Sequence, residues 1–300
     1  MWINPYENRF NDDFMQIRSN FHTHAGQIDG CSVNTIADTT ALYEKLGYGL
    51  LCISNHNRFT PMQQTNKPDM PMKFLDGYEH TCEQHMLCLG VNKEYDITLP
   101  YQDIIDDVNK NNGLVILCHP NWIREDFWTN ESLLTLTDYS GIEIVNGVIS
   151  RLEGSGIATK EWDMLLTAGK KVWGFGTDDY HWQSDAGKAF TMILSRLNSP
   201  DDCLKAINEG AHYASTGLKL VRLSVEGNRL YCEASRMIKT HLKNYTYRFY
   251  GKEGILLKED FAPSSYCELK KEYGYIRIQV INEEGKMLWT QPVYVEQWFD

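Results

Sequence analysis

The sequence contains no run of about 18 apolar residues, so no membrane-spanning helix is expected. Its opening, "MWINPYENRF", lacks a basic stretch followed by an apolar one, so no secretory leader is expected either. Positive charge is scarce: 29 Lys and Arg stand against 40 Asp and Glu, for a formal charge of −11. A general nucleic-acid binder needs a basic face, so that class is set aside. No G-x-x-x-x-G-K-[ST] phosphate loop and no G-x-S-x-G nucleophile elbow occur. No C-x-x-C pair occurs. Of the eight cysteines (Cys31, Cys52, Cys82, Cys88, Cys118, Cys203, Cys232 and Cys267), several sit in apolar runs such as "LLCIS" and "VILCHP". Buried free thiols in a reducing compartment fit this better than disulfides, and a cytoplasmic protein is expected. The sequons at Asn130 and Asn244 then read as chance matches.

What remains is an ordinary globular composition of 300 residues, 42% hydrophobic and 23% charged. That is enough for one large domain or two smaller ones. Up to about residue 216, strand-like and helix-like segments alternate. "VNTIADTTALYEKLGY" reads as an amphipathic helix stopped at Gly47, and "YQDIIDDVNKNNG", "ATKEWDMLLTAGK" and "SPDDCLKAINEG" read as further helices. "IRSNFHTH", "GLLCIS", "MKFLDGYEHT", "HMLCLGV", "LVILCHP", "GIEIVNG" and "KVWGFGTDD" read as strands. The alternation predicts an α/β domain over 1–216, built on a mostly parallel sheet or a barrel. From 217 to 300 strand patterns follow one another with turn residues between, which predicts a small all-β sandwich domain.

Histidines and carboxylates recur where strands end. His22 and His24 close the first strand, His56 follows "LLCISN", Glu79 ends "FLDGYE", His119 ends "LVILCH", and Asp179 and His181 follow "VWGFGT". His85 opens "HMLCLG", within reach of Glu79 across a short connection. In a parallel α/β barrel, strand ends gather on one face, so side chains distant in sequence converge. His, Asp and Glu are the ligands of zinc, manganese and iron. The His-x-His spacing puts two imidazoles on one side of a strand. One ion needs fewer donors than these, so two or three divalent ions are implied, with Glu79 or Asp179 able to bridge. Glu79, Asp179 and His181 are also the candidates for catalytic roles. Asp178 is a second choice beside Asp179, and His80 is expected to point away.

The motifs "HTHAGQIDG", "ISNHN", "GYEHTCEQHMLCLG", "LVILCHPN" and "GTDDYH", in this order over roughly residues 15–216, resemble the polymerase-and-histidinol-phosphatase (PHP) superfamily. The resemblance implies a distorted (β/α)7 TIM-like barrel. It also implies a trinuclear site with ligands His22, His24, Asp29, His56, Glu79, His85, His119, Asp179 and His181. Two positions depart from the family pattern: Asn55 stands where aspartate is usual, and Ile28 where serine is common. The loss of that aspartate predicts weaker support for His56.

The expected activity is hydrolysis of a small phosphorylated metabolite or nucleotide by a metal-bridging hydroxide. An ester, carbamate or amide hydrolase with the same centre is the alternative. A third reading is a non-catalytic metal-binding interaction protein. The expected partner is an anionic small molecule, with no nucleic acid and no membrane; the oligomeric state is not readable. Arg58, Arg124, Asn146 and Arg151 flank the predicted site loops and are candidates for substrate binding, the arginines for a phosphate. Trp122, Trp128 and Trp182 could wall a pocket or pack the core. His212 and His241 fall outside the motifs and read as structural or exposed.

Overall fold

In the computed structural model, residues 2–26, 31–237 and 243–295 are described. Asp29 and His241 lie outside the described residues. The fold is mixed α/β, with many strands and, among the described residues, five short α-helices. Each helix starts and stops for local reasons. Ile36–Lys45 is capped by the Thr35 hydroxyl, which accepts from the Asp38 amide, and the chain leaves it through Gly47 at φ 75°. Pro200–Asn208 begins with Ser199 as cap and proline in its first turn. Tyr101–Lys110 and Thr159–Thr167 bury one face each, through Ile104, Ile105 and Val108 in the first and Trp162, Leu165 and Leu166 in the second. A fifth helix, Asn130–Thr135, is capped by Thr129.

The strands that carry the site belong to two different sheets. Met15–Asn20, Leu50–Leu51 and Lys73–Phe74 pair in parallel within one sheet. Gly77–Thr81, His85–Leu89, Leu114–Leu117, Gly141–Asn146 and Trp173–Thr177 form a second sheet of five strands. Its first two pairings are antiparallel and its last two parallel. "MKFLDGYEHT", read above as one strand, is therefore two strands in two sheets. The break falls at Asp76, whose carboxylate accepts from the amides of Met62 and Gln63. Gly77 then passes close to the neighbouring strand, where a Cβ would lie 2.7 Å from the Cys88 carbonyl oxygen.

The mixed α/β class of the expectation is met, but among the described residues the ladders form separate sheets and not the one continuous ring of a (β/α)7 barrel. The two sheets meet through single-residue parallel bridges, Thr23 with Tyr180 and His56 with Glu79. Phe190–Ser195 runs antiparallel to Met15–Asn20 and to His212–Ser215.

After residue 217 the described residues form strands and turns with no α-helix, apart from single 3-10 turns at Lys252–Gly254 and Lys271–Tyr273. Leu218–Glu226, Arg229–Arg236 and Ser264–Glu268 form an antiparallel three-stranded sheet. Tyr245–Tyr250, Leu256–Ala262, Tyr275–Ile281 and Met287–Thr290 join the larger sheet, because Met287–Thr290 pairs with His212–Ser215. Trp2–Ile3 pairs with Val293–Val295. Leu220, Leu230, Tyr247, Ile278 and Val280 pack together between these layers. No helix among the described residues is long and apolar enough to cross a membrane.

Candidate metal centre

The strand ends converge. His22 and His24 follow Met15–Asn20, with His24 N bonded to the Tyr180 carbonyl at 2.9 Å. His119 follows Leu114–Leu117, and Asp179 and His181 follow Trp173–Thr177. Asn57, His119 and Asp179 hold left-handed backbone angles, φ 45°, 29° and 52°. Such angles are uncommon for residues other than glycine and cluster at functional sites. Here they turn the chain sharply at the strand ends where the donors collect.

All eight described residues of the predicted ligand set meet around two carboxylates, Glu79 and Asp179. His22 Nε2 is 3.3 Å from Glu79 Oε1 and 3.2 Å from Asp179 Oδ1. His24 Nε2 is 3.5 Å from Glu79 Oε2 and 3.4 Å from Asp179 Oδ1. His56 Nδ1 and His85 Nδ1 approach Glu79 to 2.6 and 2.9 Å. His119 Nε2 is 3.7 Å from Glu79 and 3.9 Å from Asp179, and His181 Nδ1 is 3.4 Å from Asp179. Four overlapping groups among the described residues have donor atoms all within 4.8 Å of one another: His22, His24 and Glu79; His56, Glu79 and His85; His22, Cys118, His119 and Glu143; and His24, Cys31, His56 and His181.

Burial alone would push the Glu79 carboxyl up, but the imidazoles of His56, His22 and His85 hold it well below the usual carboxylate range. Asp179 is held down against burial in the same way, by His22, His24, His119 and His181. Burial lowers His85 and His181, so these rings favour the neutral form that binds metals. His22 is the exception: burial opposes its charge, but Asp179, Glu143 and Glu79 raise it well above the ordinary value. A cation is therefore drawn to this point of the fold.

The residues fit divalent ions. His22 Nε2 and Glu79 Oε2 are fully buried and make no hydrogen bond among the described residues, although oxygen and nitrogen atoms lie within 3.5 Å. Buried polar atoms normally find partners. Apart from the bond between His85 Nδ1 and Glu79 Oε1, most of these atoms crowd one point at distances that suit an ion between them.

The supporting partners were harder to foresee. Glu143 lies in the middle of an apolar strand and is 1% exposed. Its carboxylate sits 2.7 Å from His22 Nδ1 and accepts from the His119 amide, the Thr177 hydroxyl and the Asn146 side chain. A carboxylate on one imidazole nitrogen fixes the ring so that the other nitrogen faces a metal. The signal in the sequence was a single charge inside "GIEIVNG". Asp178 points away from the cluster. It accepts from Tyr43, Tyr48 and the amides of Gly187 and Ala189, and burial pushes its carboxyl up to about 6. His80 lies beside Tyr78 and Tyr101, apart from the donors.

Asn55 does not touch the His56 ring. Its side-chain amide donates to the Ala25 carbonyl and accepts from the Ala25 amide, at 2.8 and 2.9 Å. It ties the His24 loop in place, and an aspartate could not make the first of these bonds. His56 Nδ1 is instead 2.8 Å from the Thr81 hydroxyl.

A cavity of 410 Å³ opens over the cluster, lined by His56, His85, Asp179 and His181 and by Trp122, Arg124, Ile149, Arg151, Leu152 and Trp182. A larger cavity of 670 Å³ near Asp76 and Lys93 holds none of the donors, so chemistry rather than size selects the smaller one. Of the residues expected to bind substrate, Arg124 and Arg151 line the cavity. Arg124 Nη1 is 3.3 Å from His85 Nε2, and its guanidinium lies over the Trp122 ring. Arg151 is held by Asp185 at 3.0 Å. Arg58 is not brought there: it is largely exposed and faces Glu94 at 4.0 Å. Asn146 is buried beneath the site. Its oxygen accepts from the amides of Val148 and Ile149, and its nitrogen donates to Glu143 and Asp179. Its side chain is thus bonded to two carboxylates and does not line the cavity. Trp122 and Trp182 wall the cavity, whereas Trp128 packs against Tyr101 and Phe127.

No family model and no curated protein matches this chain. A solved structure does: a two-domain protein from Bacteroides vulgatus ATCC 8482 that contains a predicted PHP-like metal-dependent phosphoesterase. The likeness covers 94% of this chain and 96% of that one, at a TM-score of 0.52 and 15% sequence identity. At that identity the likeness speaks to the fold, a mixed α/β body continued by β-structure through nearly the whole length of both chains.

Proposed function

We propose that this chain is a PHP-type metal-dependent phosphoesterase that hydrolyses a small phosphorylated molecule. The observation that carries the reading is the convergence of six histidines on Glu79 and Asp179 at the floor of a cavity whose wall holds Arg124. Two to three divalent ions, of zinc, manganese or iron, would be held by His22, His24, His56, Glu79, His85, His119, Asp179 and His181. When bound, such ions supply Lewis acidity, lowering the pKa of water and neutralising charge at the scissile group. The imidazoles around Glu79 and Asp179 favour the ionised carboxylates, which supports ligand roles for both. Glu143 holds the His22 ring, and Asn146 holds Asp179. Arg124 offers a fixed cation to an anionic group beside the donors.

The apolar walls supplied by Trp122, Ile149, Leu152 and Trp182 favour one alternative, an ester or carbamate hydrolase with the same centre. A panel of phosphoesters, carboxyl esters and carbamates separates the two. The reading expects two to three ions per chain by elemental analysis, turnover of phosphoesters, loss of turnover with chelator and recovery on adding the ion. A chain that takes up no divalent ion after reconstitution overturns it. Turnover of carboxyl esters or carbamates with none on phosphoesters transfers the assignment to the alternative.

A further inference from the structure

Cys31 is not among the ligands that the motifs imply, yet its sulfur belongs to a donor group. Cys31 Sγ and nitrogen atoms of His24, His56 and His181 all lie within 4.8 Å of one another. Neighbouring donors on a tetrahedral zinc ion, with bonds of 2.0–2.3 Å, stand about 3.3 to 3.7 Å apart. The group therefore needs only a small contraction to close on an ion. The rings already surround one point: the His24 centroid is 4.3 Å from those of both His56 and His181.

The cysteine is held there by its own loop. Ser32 Oγ and Asn34 Nδ2 both donate to the His181 carbonyl, at 3.3 and 3.2 Å. The Gly26 amide donates to the Asn34 carbonyl at 2.9 Å. The segment after Cys31 is thus bonded to a residue of the same donor group. His181 is oriented as well. Its Nδ1 is 2.9 Å from the Asp179 carbonyl, which can only accept, so Nδ1 carries the proton and Nε2 is left with its lone pair.

Charge adds a separate argument. Of the other three donor groups, two share the Glu79 carboxylate and one contains that of Glu143, whereas this one contains three imidazoles and no carboxylate. A dication there needs an anion, and the thiol is the one group of the four that can become one.

We infer that Cys31 is a thiolate ligand, completing with His24, His56 and His181 an outer metal subsite of three nitrogens and one sulfur. The inference rests on the metal-centre reading above and adds to it a subsite selective for a softer ion. On binding, the S–H bond breaks, its proton passes to solvent, and the sulfur lone pair forms the bond to the metal with no change in oxidation state. A mixed nitrogen and sulfur set favours Zn²⁺ over Mn²⁺ or Mg²⁺, which prefer oxygen.

The test uses the full chain loaded with Co²⁺ or Zn²⁺. The cobalt form is expected to show a thiolate-to-metal charge-transfer band in the near ultraviolet. Cys31→Ser should abolish that band and weaken zinc binding at one site by at least about tenfold. Cys203→Ser, at a buried cysteine outside the four donor groups, should leave the band in place. A second measurement avoids variants altogether. Cys31 and Cys82 are the two cysteines that are not buried. Alkylation mapped by mass spectrometry should find Cys31 protected by zinc and Cys82 labelled equally with and without it. Full metal loading with no charge-transfer band, a band unchanged in Cys31→Ser, or equal labelling of Cys31 with and without zinc overturns the thiolate and leaves the metal centre standing. A chain that binds neither ion overturns both.

Discussion

At the scale of single residues, the candidate centre depends on groups that never face the cavity. Glu143 is the strongest case. Glu143→Gln keeps the size and, through its one remaining oxygen, the bond from the His119 amide, but loses the oxygen that meets Thr177 and the charge opposite His22. Metal affinity, followed by titration against a competing chelator, should fall about 10- to 100-fold while the far-ultraviolet circular dichroism stays unchanged. A different buried group governs acid stability. His212 is fully buried, stacked on Phe175 at 4.7 Å, and burial alone pushes it down to about 3. No charged side chain contributes to that shift; Tyr6 donates to the His212 carbonyl, and Trp173 meets the ring edge-on. The unfolded chain binds the proton near pH 6.5 and the folded chain resists it, so stability falls as pH drops from 6.5 toward 3. The loss is up to about 1.4 kcal/mol for each pH unit. His212→Phe should flatten the decline in denaturant midpoint between pH 6.5 and pH 4. A decline as steep as in the parent chain would remove His212 as its source.

At the scale of elements, one buried ion pair joins the helix Thr159–Thr167 to the strand Tyr275–Ile281. Arg277 Nε is 2.7 Å from Asp163 Oδ1, and the Tyr275 hydroxyl donates to the same oxygen at 2.9 Å. Removing one partner strands a charge away from water. Asp163→Ala or Arg277→Ala should each cost about 3 to 5 kcal/mol by urea unfolding, and the double variant clearly less than their sum. Pairs like this explain what the sequence left illegible. Helices were readable where capping residues and periodicity agreed, as at Thr35 and Ser199. The helix Asn130–Thr135 is shorter than two turns and has too few apolar positions to show a period. Strand character was readable in "MKFLDGYEHT", but not its division, which depends on Asp76 bonding to a distant turn. Ring closure depends on which strands find each other, and no local pattern carries that information.

At the scale of the whole molecule, the donor residues were legible because imidazoles and carboxylates at strand ends have few other reasons to recur. Eight of the nine positions are described and converge; Asp29 lies outside the described residues. Cys31 was passed over because a cysteine in a loop has no periodic signature and sits apart from the histidines in sequence. Arg58 follows His56 closely in sequence, but beyond the left-handed turn at Asn57 its side chain is largely exposed and faces Glu94. The body that holds these residues is not two independent units in its hydrogen bonding. The sheet begun by Met15–Asn20 runs on through His212–Ser215 into Met287–Thr290.

The two single-residue bridges that join the sheets have a mechanical meaning. Each is a seam with little ladder to hold it: His24 and Tyr180 exchange one pair of strands' ends, and Asn57 and Glu79 another. The donor side chains grow from both lips of each seam, so an ion seated among them would act as a rivet. Removing ions by chelation should therefore raise amide hydrogen exchange first at His24, Asn57, Glu79 and Tyr180, before the central strand Leu114–Leu117 is affected. Exchange that rises evenly over the fold would show that the seams hold without rivets. If they do not, metal supply sets more than chemistry: it decides how long the mouth of the molecule stays shut.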